Sequence, residues 1–223
     1  MPLNTVIFDM DGLLIDSEPC WQEAGTETLL EFKVTLTPVQ YHHTTGLRTR
    51  EWLDYWFSQF GIGKEGIPAA EDALHHNVID KIKKNAAPLP GVKEIIAFFK
   101  ARGFHIGLAT SSPLSLVKVV VEKLGIEDSF ETVASAEHLP FGKPHPQVYM
   151  DCAEALDVSP LQCLAFEDSF NGLIAAKAAR MKCVVVPVPD QAHLPKWNAA
   201  DLKLGSLLEF TEQHLLQIKN PVS

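Results

Sequence analysis

The chain has 223 residues, 46% of them hydrophobic, with a formal net charge of −9 and a pI of about 5.4. That much apolar material supports a sizeable core and excludes global disorder, and the acidity argues against wholesale binding of nucleic acid or of an anionic membrane. No apolar run is long enough to span a membrane, and Pro2, Asn4 and Asp9 spoil a signal-peptide reading of the start.

Thr5-Val6-Ile7-Phe8 is apolar enough to predict a first strand, over 5–9, buried on both faces. It runs into Asp9-Met10-Asp11-Gly12, two carboxylates two positions apart beside a glycine. Ser17 is placed as an N-cap and Pro19 in a first turn. Residues 17–87 then read as mostly helical, over about 18–32, 38–44, 48–60 and 69–86. Trp52, Leu53, Trp56, Phe57 and Phe60 recur at helical spacing and form a wide apolar face. Pro88-Leu89-Pro90-Gly91 is a stiff re-entry to a second texture. From there a helix at 91–102 leads into strands at 104–109, 132–135, 163–166 and 183–186, alternating with helices at 113–124, 146–156 and 169–179. That alternation predicts a parallel sheet wrapped on both faces. Residues 207–218 are expected to cover one edge. Cys20, Cys152, Cys163 and Cys183 are scattered with no CxxC, so they read as reduced thiols of a cytoplasmic protein.

Parallel strands point one way, so their polar tips converge on one crevice. These tips are Asp9 with Asp11, Thr110-Ser111-Ser112-Pro113, and Glu167-Asp168-Ser169; Gly142-Lys143-Pro144-His145-Pro146 reaches the same edge. Carboxylates this close repel, which calls for a cation. Asp9 and Asp168 can share one Mg²⁺, with a backbone carbonyl near Asp11 as a further ligand. Thr110 offers a hydroxyl, and the Ser111 and Ser112 amides lie at a helix start, which favours anions. Lys143 adds positive charge opposite the acids. The set suits a phosphate ester: carboxylates for metal, then metal, lysine and hydroxyl for phosphate. An acidic turn closing an edge strand would explain Asp9 and Asp11 alone.

Asp9-Met10-Asp11-Gly12, Thr110-Ser111, Lys143-Pro144 and Glu167-Asp168-Ser169, in this order, resemble the four motifs of the haloacid dehalogenase superfamily. The helical stretch after the first motif resembles that superfamily's small cap. The resemblance implies an α/β fold: a Rossmann-like parallel sheet core flanked by helices (1–16 and 88–223) with an inserted α-helical cap domain (17–87). The segments Asp11-Gly12-Leu13-Leu14-Ile15-Asp16-Ser17-Glu18-Pro19 and Lys143-Pro144-His145-Pro146-Gln147-Val148-Tyr149 look like bacterial 2-deoxyglucose-6-phosphate and hexitol phosphate phosphatases, cousins of β-phosphoglucomutase.

The resemblance further implies roles. Asp9 is the nucleophile and Asp11 the general acid and base. Asp9, the Asp11 carbonyl and Asp168 hold Mg²⁺, with Glu167 behind them. Thr110, Ser111 and Lys143 bind phosphate. In the cap, Trp21, Thr45, Gly46 and Arg48 are candidates for the sugar. Trp21 stands where the mutase cousins carry a histidine, which weakens a mutase reading. The expected activity is hydrolysis of a small phosphorylated sugar or sugar alcohol by a monomer. A sugar phosphomutase and a non-catalytic phosphosugar-binding protein are the alternatives. The His42-His43 and His75-His76 pairs lack zinc spacing and read as surface or packing. Asn171 divides between supporting the metal and capping a helix.

Overall fold

A computed structural model describes residues 2–219, without the His42 side chain. β1 (Thr5–Phe8), β2 (His105–Thr110), β3 (Thr132–Ser135), β4 (Cys163–Glu167), β5 (Lys182–Val185) and β6 (Leu202–Lys203) form one sheet in the order β3-β2-β1-β4-β5-β6, every neighbouring pair parallel. β6 escaped the sequence reading because two residues carry no periodicity of their own. Only the partner β5 defines it.

The side chains of β1 alternate across the sheet. Val6 and Phe8 join Leu164, Phe166 and Val184 in one core, while Ile7 joins Ala165, Cys183 and Val185 in another. The first core lies under α5 (Val92–Lys100), α6 (Leu114–Leu124) and α9 (Glu212–Lys219); the second lies under α7 (Gln147–Ala155) and α8 (Phe170–Ala178). The 207–218 segment is divided between a short 3-10 turn and α9. Ser206 caps a short 3-10 turn at Leu207–Glu209, and Phe210 then runs extended into a ring cluster with Phe98, Phe99 and Phe166. This segment covers a face of the sheet beside α5 rather than the expected edge, because Leu207, Phe210, Leu215 and Ile218 are buried in the first core.

Between β1 and α5 lie α1 (Glu18–Glu31), α2 (Pro38–His43), α3 (Thr49–Phe60) and α4 (Ile67–Asn85). They form the helical cap, with a core of Leu29, Trp52, Leu53, Trp56, Phe57 and Leu74. Phe60, expected on this apolar face, is 42% exposed at the end of α3. The base of the cap joins the main core through Cys20, Ala24, Val78 and Ile82. The chain leaves and re-enters the sheet domain side by side: Asp16 N donates to Ala87 O (2.9 Å) and Leu89 N to Leu14 O (3.1 Å). No helix among the described residues is long and apolar enough to cross a membrane.

Candidate active site

The register of the three central strands builds the site. Phe8 pairs with Leu108 on one side and Phe166 on the other, so Asp9, Thr110 and Asp168 emerge at neighbouring tips. Asp9 N donates to Phe166 O at 3.0 Å, extending the β1–β4 ladder to the first acid. Asp9, Thr110, Lys143, Glu167 and Asp168 are all buried. Gly12 allows the acids to crowd: its φ is +74°, and a Cβ there would overlap the Asp168 carboxylate.

Lys143 is the hub. Its Nζ donates to Asp9 Oδ1 (2.5 Å), Glu167 Oε1 (2.6 Å) and the Ala109 carbonyl (3.1 Å). Tyr149, on α7, donates its hydroxyl to the same Glu167 Oε1 at 2.6 Å. The other Glu167 oxygen accepts from Asp168 N, Ser169 N and Ser169 Oγ. Both carboxylate oxygens of Glu167 are thus engaged, and its work is to orient Lys143 and the loop after β4. Sequence reading placed Lys143 against phosphate and missed Tyr149, which sits on the apolar face of a helix where only its hydroxyl signals a role.

Burial pushes the Asp9 carboxyl up, to about 8, against the pull of the Lys143 ammonium. Burial raises Asp168 well above the usual carboxylate range, and the charges of Asp9 and Glu167 add to it. Burial works against the charge on Lys143, but Asp9 and Glu167 outweigh it and hold the ammonium above its usual range. Oxygens of Asp9, Glu167 and Asp168 lie within 4.8 Å of one another. Burial resists full ionisation of these three acids beside one ammonium, and a hard divalent cation with oxygen ligands would favour their charged forms. The donor set therefore fits the divalent metal expected from the sequence.

Asp11 stands apart from that cluster. Its Oδ1 accepts from Ser17 Oγ (2.7 Å) and Trp21 Nε1 (2.9 Å), and its Oδ2 accepts from Ser112 Oγ (2.6 Å). Ser17 occupies the N-cap position of α1 but makes no capping bond, because its hydroxyl goes to Asp11. The Ser112 amide, expected to face an anion, donates instead to Thr110 Oγ1 at 3.0 Å.

A cavity beneath the cap joins these groups and is lined by Asp9, Asp11, Trp21, Thr45, Thr110 and Lys143, among others. Ser111 and Gly46 also line it, and Ser111 Oγ donates to Gly46 O (3.2 Å). Thr45 O accepts from Asn171 Nδ2 (2.9 Å), while Thr45 Oγ1 is buried without a protein partner. Asn171 therefore ties the cap to the core, which neither of its two sequence readings foresaw. Arg48 differs most from expectation. It does not line the cavity, and its guanidinium donates to the carbonyls of Ala136, Leu139 and Pro140 and to Glu51. The sequence reading anticipated a sugar role for it and did not foresee these contacts, because the backbone that it meets lies far away in sequence. His75 packs edge-on to Trp21, with Nε2 2.9 Å from Thr49 Oγ1.

A parallel sheet with an acid at the tip of its first strand, a buried lysine and a helical cap defines a class of hydrolase. Residues 3–180 match the haloacid dehalogenase-like hydrolases, and the chain belongs to that family. It is 43% identical over 211 residues to hexitol phosphatase B of Escherichia coli strain K12, covering 94% of this chain and 95% of that protein. It is 30% identical over 220 residues to a phosphorylated carbohydrates phosphatase of Thermotoga maritima, covering 99% of this chain and all of the relative. Among solved structures, CbbY from Rhodobacter sphaeroides in complex with phosphate superposes with a TM-score of 0.84 at 26% identity, over 96% of this chain and 99% of CbbY. A β-phosphoglucomutase from Clostridium difficile reaches the same TM-score at 22% identity, over 98% and 97% of the two chains, a likeness of fold.

Proposed function

We propose that this protein is a Mg²⁺-dependent phosphatase of small phosphorylated sugars and sugar alcohols. The observation that carries the reading is the division of labour between Asp9 and Asp11. Asp9 is gripped by Lys143 in the acid cluster, while Asp11, two residues on, is held out of that cluster by three donors, of which Trp21 and Ser112 line the cavity.

Asp9 attacks phosphorus and forms an aspartyl phosphate as the bond to the sugar oxygen breaks. Asp11 gives its proton to the departing alkoxide. It then takes a proton from the water that hydrolyses the intermediate, regenerating Asp9 and releasing phosphate; general acid–base help of this kind is typically worth about 10²–10⁴-fold. Lys143 fixes the Asp9 carboxylate and, with Thr110 and Ser111, binds the phosphoryl oxygens. Asp9, the Asp11 carbonyl and Asp168 would hold Mg²⁺, which would supply positive charge to offset that on the transferring group. Glu167 orients Lys143 behind these ligands. The indole N–H of Trp21 holds Asp11 without offering a titratable group, which favours hydrolysis over mutase chemistry. Trp21 and the unpartnered Thr45 hydroxyl face the sugar.

The reading extends to the whole chain. Residues 17–87 form the cap, joined to the sheet domain beside the isolated antiparallel bridge between Ile15 and Pro88. One chain carries every group that the reaction uses, so a monomer suffices. The four free, buried cysteines suit the reducing cytoplasm. The similarity to hexitol phosphatase B directs the substrate choice toward hexitol phosphates. The test is phosphate release from 2-deoxyglucose 6-phosphate, glucose 6-phosphate, mannitol 1-phosphate, sorbitol 6-phosphate and β-glucose 1-phosphate, each with and without Mg²⁺. Metal-dependent release from the hexitol or deoxyhexose esters is expected. Glucose 6-phosphate formed from β-glucose 1-phosphate without free phosphate would replace hydrolysis with mutase chemistry.

A further inference from the structure

Arg48 belongs to the cap, at the N-cap position of α3, yet its guanidinium serves the sheet domain. Nη1 donates to Ala136 O (3.0 Å) and Leu139 O; Nη2 donates to Pro140 O (3.4 Å) and to Glu51 Oε1 (3.2 Å). Glu51, one turn further along α3, accepts through that same oxygen the Gly142 N–H at 2.8 Å. These partners belong to one segment, 136–142, which leaves the tip of β3 and runs without helix or strand into Lys143. The approach is close: a Cβ on residue 142 would stand 2.6 Å from Glu51 Oε2 and 3.1 Å from the Arg48 Cβ. A side chain here would require the Glu51 carboxylate to shift.

We propose that Arg48 and Glu51 are positioning residues, a latch by which the closed cap grips residues 136–142 and sets Lys143 against Asp9. The inference rests on the assignment of Asp9 and Lys143 above. With the cap in this position the reacting groups are buried, so a substrate enters only when the cap lifts. Lifting it takes Arg48 and Glu51 away together, as an ion pair at the start of α3, and removes the side-chain anchors that the cap gives the segment before Lys143. A planar guanidinium suits this task because it spans several carbonyls at fixed angles, which an ammonium does not. Arg48 Nε and Glu51 Oε2 are buried without protein partners, so the clamped state is incompletely satisfied. That suits a contact released in every turnover. The neighbouring cap–core bonds, Ser111 to Gly46 and Asn171 to Thr45, are neutral and hold only the cap loop.

The test compares wild type with Arg48→Ala, Arg48→Lys and Glu51→Gln, in the full chain with Mg²⁺. A lost latch lowers kcat by about 10–100-fold on a hexitol phosphate and on p-nitrophenyl phosphate alike, with KM changing less than about threefold. Arg48→Lys does not rescue. Amide hydrogen exchange quickens in 136–143 and 44–51 together while β1 and β4 keep their protection. Glu51→Gln preserves side-chain size and gives the same exchange signature if Arg48→Ala fails to fold. A loss confined to KM for the hexitol phosphate, absent with p-nitrophenyl phosphate, would make Arg48 a sugar contact and overturn the proposal. Unchanged exchange in 136–143 would overturn it whatever the activity. Exchange requires no turnover, so a wild type that released no phosphate would refute the phosphatase reading and still leave the latch decided by this measurement.

Discussion

Lys143 Nζ lies 2.5 Å from Asp9 Oδ1, although 134 positions separate the two residues in the chain. Both are buried, and Glu167 completes the triad at 2.6 Å from the same nitrogen. Removing one member of a buried ion pair leaves the other uncompensated, at about 3–5 kcal/mol. Lys143→Met is therefore expected to lose about that much stability in metal-free urea unfolding, besides its activity. A loss of under about 1 kcal/mol would show that the acids are neutralised by another route.

Asp9→Asn keeps the shape and removes the nucleophile. Phosphate release is expected to fall by at least about 10³-fold, with the thermal midpoint close to wild type. The observation is made by colorimetric phosphate assay on a hexitol phosphate, and retained turnover would dismiss Asp9 as the attacking group.

The crowded acids Asp9, Glu167 and Asp168 predict a metal-dependent fold stability as well as a metal-dependent reaction. Mg²⁺ at about 100 times its Kd should stabilise the protein by about 2.7 kcal/mol. Chelation removes both this shift and the activity, and Asp168→Asn abolishes the shift at the same Mg²⁺ concentration. A thermal midpoint indifferent to Mg²⁺ in wild type would place the cation elsewhere.

Trp21 Nε1 donates to Asp11 Oδ1 at 2.9 Å from the first turn of the cap. A hydrogen bond to a charged group is worth about 1.5–3 kcal/mol. Trp21→Phe should therefore lower kcat by about 10–100-fold while the cap core, built on Trp52, Trp56 and Phe57, stays folded. Steady-state kinetics beside circular dichroism read both. An unaltered kcat would show that Ser17 and Ser112 alone hold Asp11.

Asp201 offers a pH test remote from the site. Burial works to raise its pKa, but the Lys177 (2.6 Å) and Lys182 (2.8 Å) ammonium groups and the Cys183 N–H (2.8 Å) outweigh burial and lower it. A carboxyl depressed in the folded state contributes stability above its unfolded pKa of about 3.9 and loses it as pH falls through the folded value. Asp201→Asn should thus cost about 1–3 kcal/mol at pH 7, with the difference from wild type closing below the ordinary carboxylate range. Denaturant midpoints at pH 7 and in acid give the comparison. A pH-independent difference would assign Asp201 a packing role.

The alternation after Pro88 and the apolar run before Asp9 were enough to indicate a parallel sheet, since strands buried on both faces must be apolar throughout. Element boundaries fell within about two residues of the observed ones for most of the chain, because caps and turns are local. Local signals also misled. Ser17 reads as an N-cap by position, and only the folded chain turns its hydroxyl to Asp11. Residues 207–218 are expected at an edge, and only the ring cluster around Phe210 sets them on a face of the sheet.

The sequence by itself determined the class of fold and singled out the candidate reacting groups, because carboxylates, a lysine and hydroxyls at strand ends are chemically specific wherever the chain takes them. Tertiary structure alone decided which partners those groups meet. Tyr149 reaches Glu167, Trp21 reaches Asp11, and Arg48 turns from the cavity to the carbonyls before Lys143. Hydrogen bonds act over about 3 Å, and residues distant in the chain come within that range only once the sheet and cap have closed around them.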